Sequence, residues 1–406
     1  MPDADGRQGK SQGKSSIVHR ASTHRGRAKP PYAYSVNLPN EGKMMVEALH
    51  RRSWWKEAAT LGTYNFWWGP NGERFDFKKM TTGARQLVNR LEDHKEICTK
   101  NNLALNLQSY ARLNNIDAST IIPTTIVLNN GGESGSKQLH MRQSDFNKAA
   151  KAREDDKIEN KHLSGNIWIV KPAGRNRGIG IEVLKGFKDV DNFIKKQNVS
   201  SQWVVQKYLE DPMLIHNCKF DIRQLILITP EKEVFMYENS YVRTSATEYS
   251  KDTMDRAVHL VNDYVQKHED NYGKYEDANK LSFDEFREIL KAHGKSFDDD
   301  IYPQMMEATR HVFRSAIDKL NPRRVDYCFE LMGMDFMLDS SFKVWLIEVN
   351  TSPALFRHGK VLVDIMPRMI EEVVQKVVDR VFPPPEGAKV PEPLNSFVKL
   401  DLRKSG

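Results

Sequence analysis

The chain has 406 residues, a formal net charge of +7 and 39% hydrophobic residues, which points to two or three domains with real cores. No apolar run approaches the ~20 residues needed to span a bilayer, and no charged–apolar–small leader pattern opens the chain. Three widely spaced cysteines, Cys98, Cys218 and Cys328, suggest neither a disulfide framework nor a zinc site and fit a reducing, intracellular compartment.

Residues 1–30 carry seven basic side chains against two acidic ones and almost no large apolar residue. That composition predicts a disordered basic tail, either simply solvated or able to find a polyanion. Residues 31–128 read as a small α/β module. Helices are expected over Met44–Arg51 and Thr82–Leu91, and a buried strand over Ile121–Leu128. Trp54, Trp55, Trp67 and Trp68 are expected in its core. Residues 129–165 run through GGESGS into KAREDDKIENKH with no apolar face, the pattern of a flexible insertion. Short β-rich runs then follow at Ile167–Val170, Trp203–Gln206, Phe220–Thr229, Val234–Val242, Gly333–Leu338 and Val344–Val349. Helical spacing appears over Phe283–Ala292, Pro303–Leu320 and Val361–Val381, the last stopping before Pro383-Pro384-Pro385. The reading is α+β, with largely antiparallel strands in the C-terminal part and a terminal tail at 389–406.

Three constellations carry chemistry. In Trp168–Ile181 (WIVKPAGRNRGIGI) a buried strand delivers Lys171 to a loop of three glycines and two arginines. Such a loop lets backbone N–H groups approach phosphate, although a basic glycine hairpin would look the same. In Lys219-Phe-Asp-Ile-Arg223, alternation puts Lys219, Asp221 and Arg223 on one strand face and Phe220 and Ile222 in the core. The three charges read as a floor under a polyanion, or else as cross-strand ion pairs. In GMDF and VWLIEVN, Asp335, Glu348 and Asn350 converge from two strands as hard oxygen ligands suited to Mg²⁺. Glu348 and Asn350 are expected on one face of their strand, with Trp345, Ile347 and Val349 on the other. Arg243, ending YENSYVR, could grip a carboxylate or serve a surface pair. His216, His259 and His268 have no metal spacing and read as structural or solvated.

The segments KPAGRNRGIGI, QKYLEDPMLI, KFDIRQLILIT, YVRTSATEY, HLVNDYVQK, NYGKYED, GMDFML and KVWLIEVNTSPA resemble the tubulin tyrosine ligase family. The resemblance is strong over residues 166–385 and reaches weakly back to Leu87–Asn106. It implies an ATP-grasp fold in which two antiparallel sheets clasp ATP, with 166–215 and 216–388 as its central and C-terminal subdomains. It implies that Lys171, Arg177 and Gly178 contact phosphate, and that Gln206, Lys207, Tyr208 and Leu209 form the adenine-side hinge. Lys219, Asp221 and Asn262 would reach the nucleotide. Arg223 and Arg243 would hold the amino-acid or acyl-phosphate end, with Glu348 catalytic and Asp335, Glu348 and Asn350 binding Mg²⁺. Lys100 matches a basic residue near the phosphates.

The implied partners are a free amino acid and the acidic tail of tubulin, with no role for a membrane or nucleic acid and a cytoplasmic, microtubule-associated location that extends to cilia or flagella. The implied reaction is addition of tyrosine to the C-terminus of detyrosinated α-tubulin through an acyl phosphate. Glycylation or glutamylation of tail glutamates, or microtubule binding without catalysis, are the other readings. NYGKYED and DRVFPPP resemble the tyrosine-adding branch. KPAGRNRG and IEVNTSP resemble the glycylase and glutamylase branches. Val261 stands where the family usually has threonine, and Pro172 replaces a small polar residue, so both bear on which amino acid is added.

Overall fold

The computed structural model describes residues 31–60, 63–69, 77, 80, 85–128, 166–197, 202–323 and 328–403. The basic segment 1–30 and the insertion 129–165 lie outside the described residues.

Three sheets form in chain order. The first comprises β1 (Tyr32–Val36), β2 (Trp55–Glu57), β3 (Phe66–Trp68) and β4 (Leu87–Val88), arranged β2-β1-β3-β4 with every pairing parallel. Parallel strands need crossover connections and covered faces. Helix Gly42–His50 lies in one crossover. All four tryptophans of this module are buried, as expected. The helix expected over Thr82–Leu91 does not form in the part that is described. Leu87 and Val88 instead pair with Phe66 and Trp67. The i, i+4 spacing of Leu87 and Leu91 imitates a helix face, but sheet pairing and burial outweigh so weak a local preference.

The second sheet contains β5 (Thr125–Leu128), β6 (Ile167–Pro172), β7 (Glu182–Lys185) and β8 (Trp203–Lys207), in the order β5-β8-β6-β7. It is antiparallel throughout. Helix Gly186–Lys195 packs Val190 and Ile194 against Trp168, Val170 and Val205 on one face. Ile167, Ile169 and Val183 occupy the other, beside Tyr208 and Leu260.

The third sheet has eight strands: β9 (Leu214–Ile215), β10 (Cys218–Ile228), β11 (Val234–Tyr237), β12 (Tyr241–Glu248), β13 (Lys280–Ser282), β14 (Glu330–Leu338), β15 (Val344–Thr351) and β16 (Phe397–Leu400). Its pairings are antiparallel. β10 is the axis: β12 pairs its first half and β11 its second, while β14 runs along the other side. The single strand expected over Val234–Val242 divides in two. Ser240 causes the break, donating to the Tyr237 carbonyl at 3.0 Å and accepting from the Leu225 N–H at 3.0 Å. Within the segment read as a C-terminal tail, Phe397–Leu400 pairs with β11.

One face of this sheet is covered by helices Lys100–Leu113, Phe283–Ala292 and Tyr302–Ala316. Helix Phe283–Ala292 starts at a Ser282/Glu285 capping box, and Tyr302–Ala316 has proline in its first turn, both strong start signals. The other face meets the first sheet and helix Lys360–Val373. That helix continues through a π-helical turn, Val374–Val378, to Val381, matching the expected element. Among the described residues no helix is long and apolar enough to cross a membrane.

Arg52 ties the first module to the C-terminal helix. Its buried guanidinium donates to Glu371 at 2.8 Å, to Asp379 at 2.7 and 2.9 Å, and to the Ala48 carbonyl at 2.8 Å. Removing one partner from a buried ion set leaves charge uncompensated and costs about 3–5 kcal/mol. Arg52→Ala is therefore expected to lower the free energy of unfolding by about that amount. Urea denaturation measures it, and a wild-type midpoint would refute the role given to Arg52.

Candidate functional site

The site begins as alternation on β10. Lys219, Asp221 and Arg223 share a face, while Phe220 and Ile222 sit in the core as expected. Antiparallel register then sets Arg243 opposite Asp221, Asp335 opposite Arg223, and Glu348 opposite Asp335. Four strands thus contribute one charged surface.

The pairing across it is bidentate. Arg243 donates to both Asp221 oxygens at 2.6 and 2.7 Å, and Arg223 to both Asp335 oxygens at 2.5 and 3.0 Å. Arg243 also reaches Asp335 Oδ2 at 2.9 Å, and the Asn350 amide donates to Asp335 at 3.2 Å and to Glu348 at 3.0 Å. Planar guanidinium–carboxylate pairs fix geometry as well as charge. Gly333 makes room for this: a Cβ there would lie 2.8 Å from Arg223 Cδ.

The second sheet faces this surface with Lys171, whose Nζ donates to Gln206 Oε1 at 2.7 Å. Gln206 is held in turn by donation to Thr125 Oγ1 at 2.9 Å. Between the sheets lies an open cleft, with Lys171, Lys219, Asp221, Arg243, Asp335 and Glu348 on its charged side. Ile169, Ile181, Met337 and Ile347 supply apolar wall.

Lys100 joins from the first turn of helix Lys100–Leu113, with Nζ 3.4 Å from Glu348 Oε2 and donating to the Arg175 carbonyl at 2.9 Å. Lys100, Lys171, Lys219, Arg223 and Arg243 therefore stand against three carboxylates, Asp221, Asp335 and Glu348. The two buried lysines are shifted first by burial and then by their charged neighbours. Burial lowers Lys171 to about 8, with Glu348 opposing and Lys100 adding to the shift. Burial and the nearby Lys171 lower Lys219 to about 7. Burial alone would raise Glu348, but Lys100, the Asn350 amide and Lys171 hold it well below the usual carboxylate range. Such a surface is suited to an added anion.

Of the residues read from sequence, Lys171, Gln206, Lys207, Tyr208, Leu209, Lys219, Asp221, Arg243, Asn262, Asp335 and Glu348 line the cleft. Arg223 and Asn350 lie beside it through Asp335. Arg177 is exposed on the glycine loop with a left-handed φ of 61°, outside the cleft wall. Gly178 touches the wall from behind: a Cβ there would lie 2.9 Å from the Asn262 amide. The Lys207 ammonium is turned away, toward Glu210 and the Ile167 carbonyl. Leu209 packs on Met337 and Trp345.

The face assignment on β15 needs correction. A register shift follows Asp335, which pairs with Glu348, whereas Phe336 pairs with Leu346. The bulge flips the parity of the strand. Trp345 and Ile347 therefore stand with Met337 and Leu209 on the cleft side, while Val349 keeps its expected place in the core. His259, read as structural or solvated, is buried and lines the cleft. Ile169 and Met337 were findable from alternation, being two residues from Lys171 and Asp335.

For a divalent cation the donors are two carboxylates and one amide. Among the described residues no preformed group of three or more His, Cys, Asp or Glu exists. Such a donor set could hold Mg²⁺ only together with substrate phosphates and water, the usual mode for that ion. A turn of the Asn350 amide would offer its oxygen in place of its N–H.

The tubulin-tyrosine ligase family model matches residues 78–388. The chain belongs to that family. It is 35% identical over 226 residues to the mouse (Mus musculus) protein monoglycylase TTLL8, covering 53% of this chain and 27% of that protein. It is 36% identical over 229 residues to the zebrafish (Danio rerio) tubulin monoglycylase TTLL3, covering 53% and 29%. It is 37% identical over 224 residues to the Drosophila melanogaster tubulin glycylase 3A, covering 53% and 22%. The matches thus span less than a third of each relative's length.

The electrostatics are open to direct measurement. The Lys219 side chain is expected to titrate near pH 7, far below an ordinary lysine at about 10.4. The ¹³C shift of its Cε, assigned through Lys219→Arg, would follow the titration, and an ordinary midpoint would refute the burial of Lys219 without a paired carboxylate.

Proposed function

We propose that this chain is an ATP-dependent glycine ligase acting on tubulin. It joins the amine of free glycine to the side-chain carboxylate of a glutamate in the acidic tubulin tail. The observation that carries the reading is its 35–37% identity to relatives named as glycylases. The complete charged set of the cleft accompanies it. Tyrosine addition to α-tubulin, the reaction first expected, has weaker support, because the relatives reported above are named for glycine.

In this reading ATP lies between the second and third sheets in the ATP-grasp manner. The base would sit against Ile169, Ile181 and Met337, with Gln206–Leu209 at its edge. Lys171 and Lys219 would meet phosphate oxygens from opposite sheets, and Lys100 would approach from the helix end. Asp335, Glu348 and Asn350 would hold Mg²⁺, which when bound supplies charge neutralisation across the phosphates. Arg223 and Arg243, locked by Asp335 and Asp221, would hold the acyl-phosphate end. The tail carboxylate takes the terminal phosphoryl group with loss of ADP. The glycine nitrogen then attacks the acyl carbon and phosphate leaves. No side-chain nucleophile is needed, so positioning and charge stabilisation do the chemistry. Val261 lines the cleft with methyls where the family usually carries a hydroxyl. It removes one hydrogen-bonding group from the wall, which suits an amino acid with no side chain to read. A cationic cleft also suits an acidic tail, which supports a reading in which the protein works at microtubules. The expected fall in rate with added salt follows from screening.

Purified protein with ATP, tubulin and labelled glycine, tyrosine or glutamate in separate reactions decides the matter. Glycine incorporation is expected, tyrosine incorporation would restore the other reading, and tubulin binding with no incorporation would mark a non-catalytic protein. Glu348→Gln is expected to cut turnover by at least about 10²-fold, as for loss of one preorganised charge-stabilising group, with thermal unfolding unchanged. Undiminished ligation by that variant would sink the metal-site assignment.

A further inference from the structure

Lys219 is held in an unusual way for a buried ammonium. Its Nζ donates to Tyr208 Oη at 2.8 Å and to the His259 carbonyl at 3.2 Å, and lies 4.3 Å from the Tyr208 ring centre. Among the described residues no carboxylate lies within ion-pair distance of it. Its acceptors are neutral, so they fix the geometry of the side chain without pairing it to a carboxylate.

The hydrogen bonds continue in one direction. His259 Nε2 lies 2.7 Å from the Thr253 carbonyl, which can only accept, so Nε2 carries the proton. A neutral ring then leaves Nδ1 as acceptor, and Tyr208 Oη, 2.7 Å away, donates to it. The Tyr208 hydroxyl donates to His259 and its oxygen accepts from Lys219; the Tyr249 hydroxyl, which gives its own proton to the Glu210 carbonyl, is a second polar neighbour of the same oxygen. Burial lowers the His259 pKa and keeps the ring neutral. The Tyr208 and His259 rings meet edge to face at 90°, with centres 5.2 Å apart. The Lys219, Tyr208 and His259 side chains are all buried, at 2–4% exposure.

We propose that Tyr208 and His259 are positioning residues that aim the Lys219 ammonium at the nucleotide phosphates, with the Thr253 carbonyl as the fixed end of the chain. A carboxylate in the place of Tyr208 would hold Lys219 equally well and neutralise it. The neutral relay leaves one amine hydrogen for the ligand with no paired carboxylate to compete, and an anionic ligand favours the protonated form. The proposal rests on the reading of Lys219 as a nucleotide contact.

Isothermal titration of the full chain with MgATP alone, without tubulin, separates the two. Lys219→Met is expected to weaken binding on the order of 10–100-fold, as for loss of a charge-assisted hydrogen bond. Tyr208→Phe, which removes only the hydroxyl, and His259→Ala are each expected to weaken it about tenfold. The double variant should be no weaker than either single one, and neither change should matter further in the Lys219→Met background. A merely structural role for Tyr208 or His259 would persist in that background. If Lys219→Met weakens binding but Tyr208→Phe alters it less than about twofold, the positioning role is overturned and the nucleotide site stands. Additive losses would overturn it too. If Lys219→Met binds as wild type, the nucleotide reading fails and takes the proposal with it. Should His259→Ala fail to fold, Tyr208→Phe alone and in the Lys219→Met background decides.

Discussion

The Asp335 carboxylate is the contact on which the site depends. It accepts from Arg223, Arg243 and the Asn350 amide, groups from three other strands. A buried carboxylate without such partners would be costly, and so would two buried guanidinium groups without it. The compensation works only if the four strands keep one register. Gly333 is part of the same constraint, since any side chain there would push Arg223 off Asp335. A large sheet is a sensible place for it: hydrogen-bonded strands hold side chains more rigidly than loops do, and a site built on them is preorganised.

The rest of the cleft has the opposite electrostatic character. Asp335 and Asp221 are satisfied, but Lys171 and Lys219 are held by neutral oxygens. Their lowered pKa values express the cost of keeping two ammonium groups in a buried place without a directly paired carboxylate. Folding sets both amines in place in advance, so a polyanionic ligand needs little rearrangement and favours their protonated forms. Paired arginines for position and unpaired lysines for charge are a division of labour that suits transfer of a phosphoryl group. It also agrees with membership of a ligase family.

Much of the site was readable because β10 obeys strict alternation between a core and a polar face. Lys219, Asp221 and Arg223 could be placed together from the apolar Phe220, Ile222 and LILI around them. Asp335 stood out as one carboxylate amid apolar neighbours. The errors share a cause. Leu87 and Leu91 have helical spacing, yet partners far along the chain make a strand of Leu87. Trp345 and Glu348 differ by an odd number, yet a bulge puts both toward the cleft. Helix Lys100–Leu113 was not anticipated, because buried Asn101 and Asn106 blur its apolar face.

The amino-acid sequence by itself determined which strand faces are charged, where the strongly signalled helices Phe283–Ala292 and Tyr302–Ala316 begin, and which family the motifs resemble. These follow from alternation, caps and local spacing, which act between near neighbours. Tertiary structure alone decided that Arg243 pairs with Asp221, that Lys100 reaches Glu348, and that His259 belongs to the cleft. Each of these joins residues far apart in the chain. Such contacts are selected by register and packing, and no local pattern of residue types encodes the distance between two strands or the hydrogen bond that fixes an imidazole.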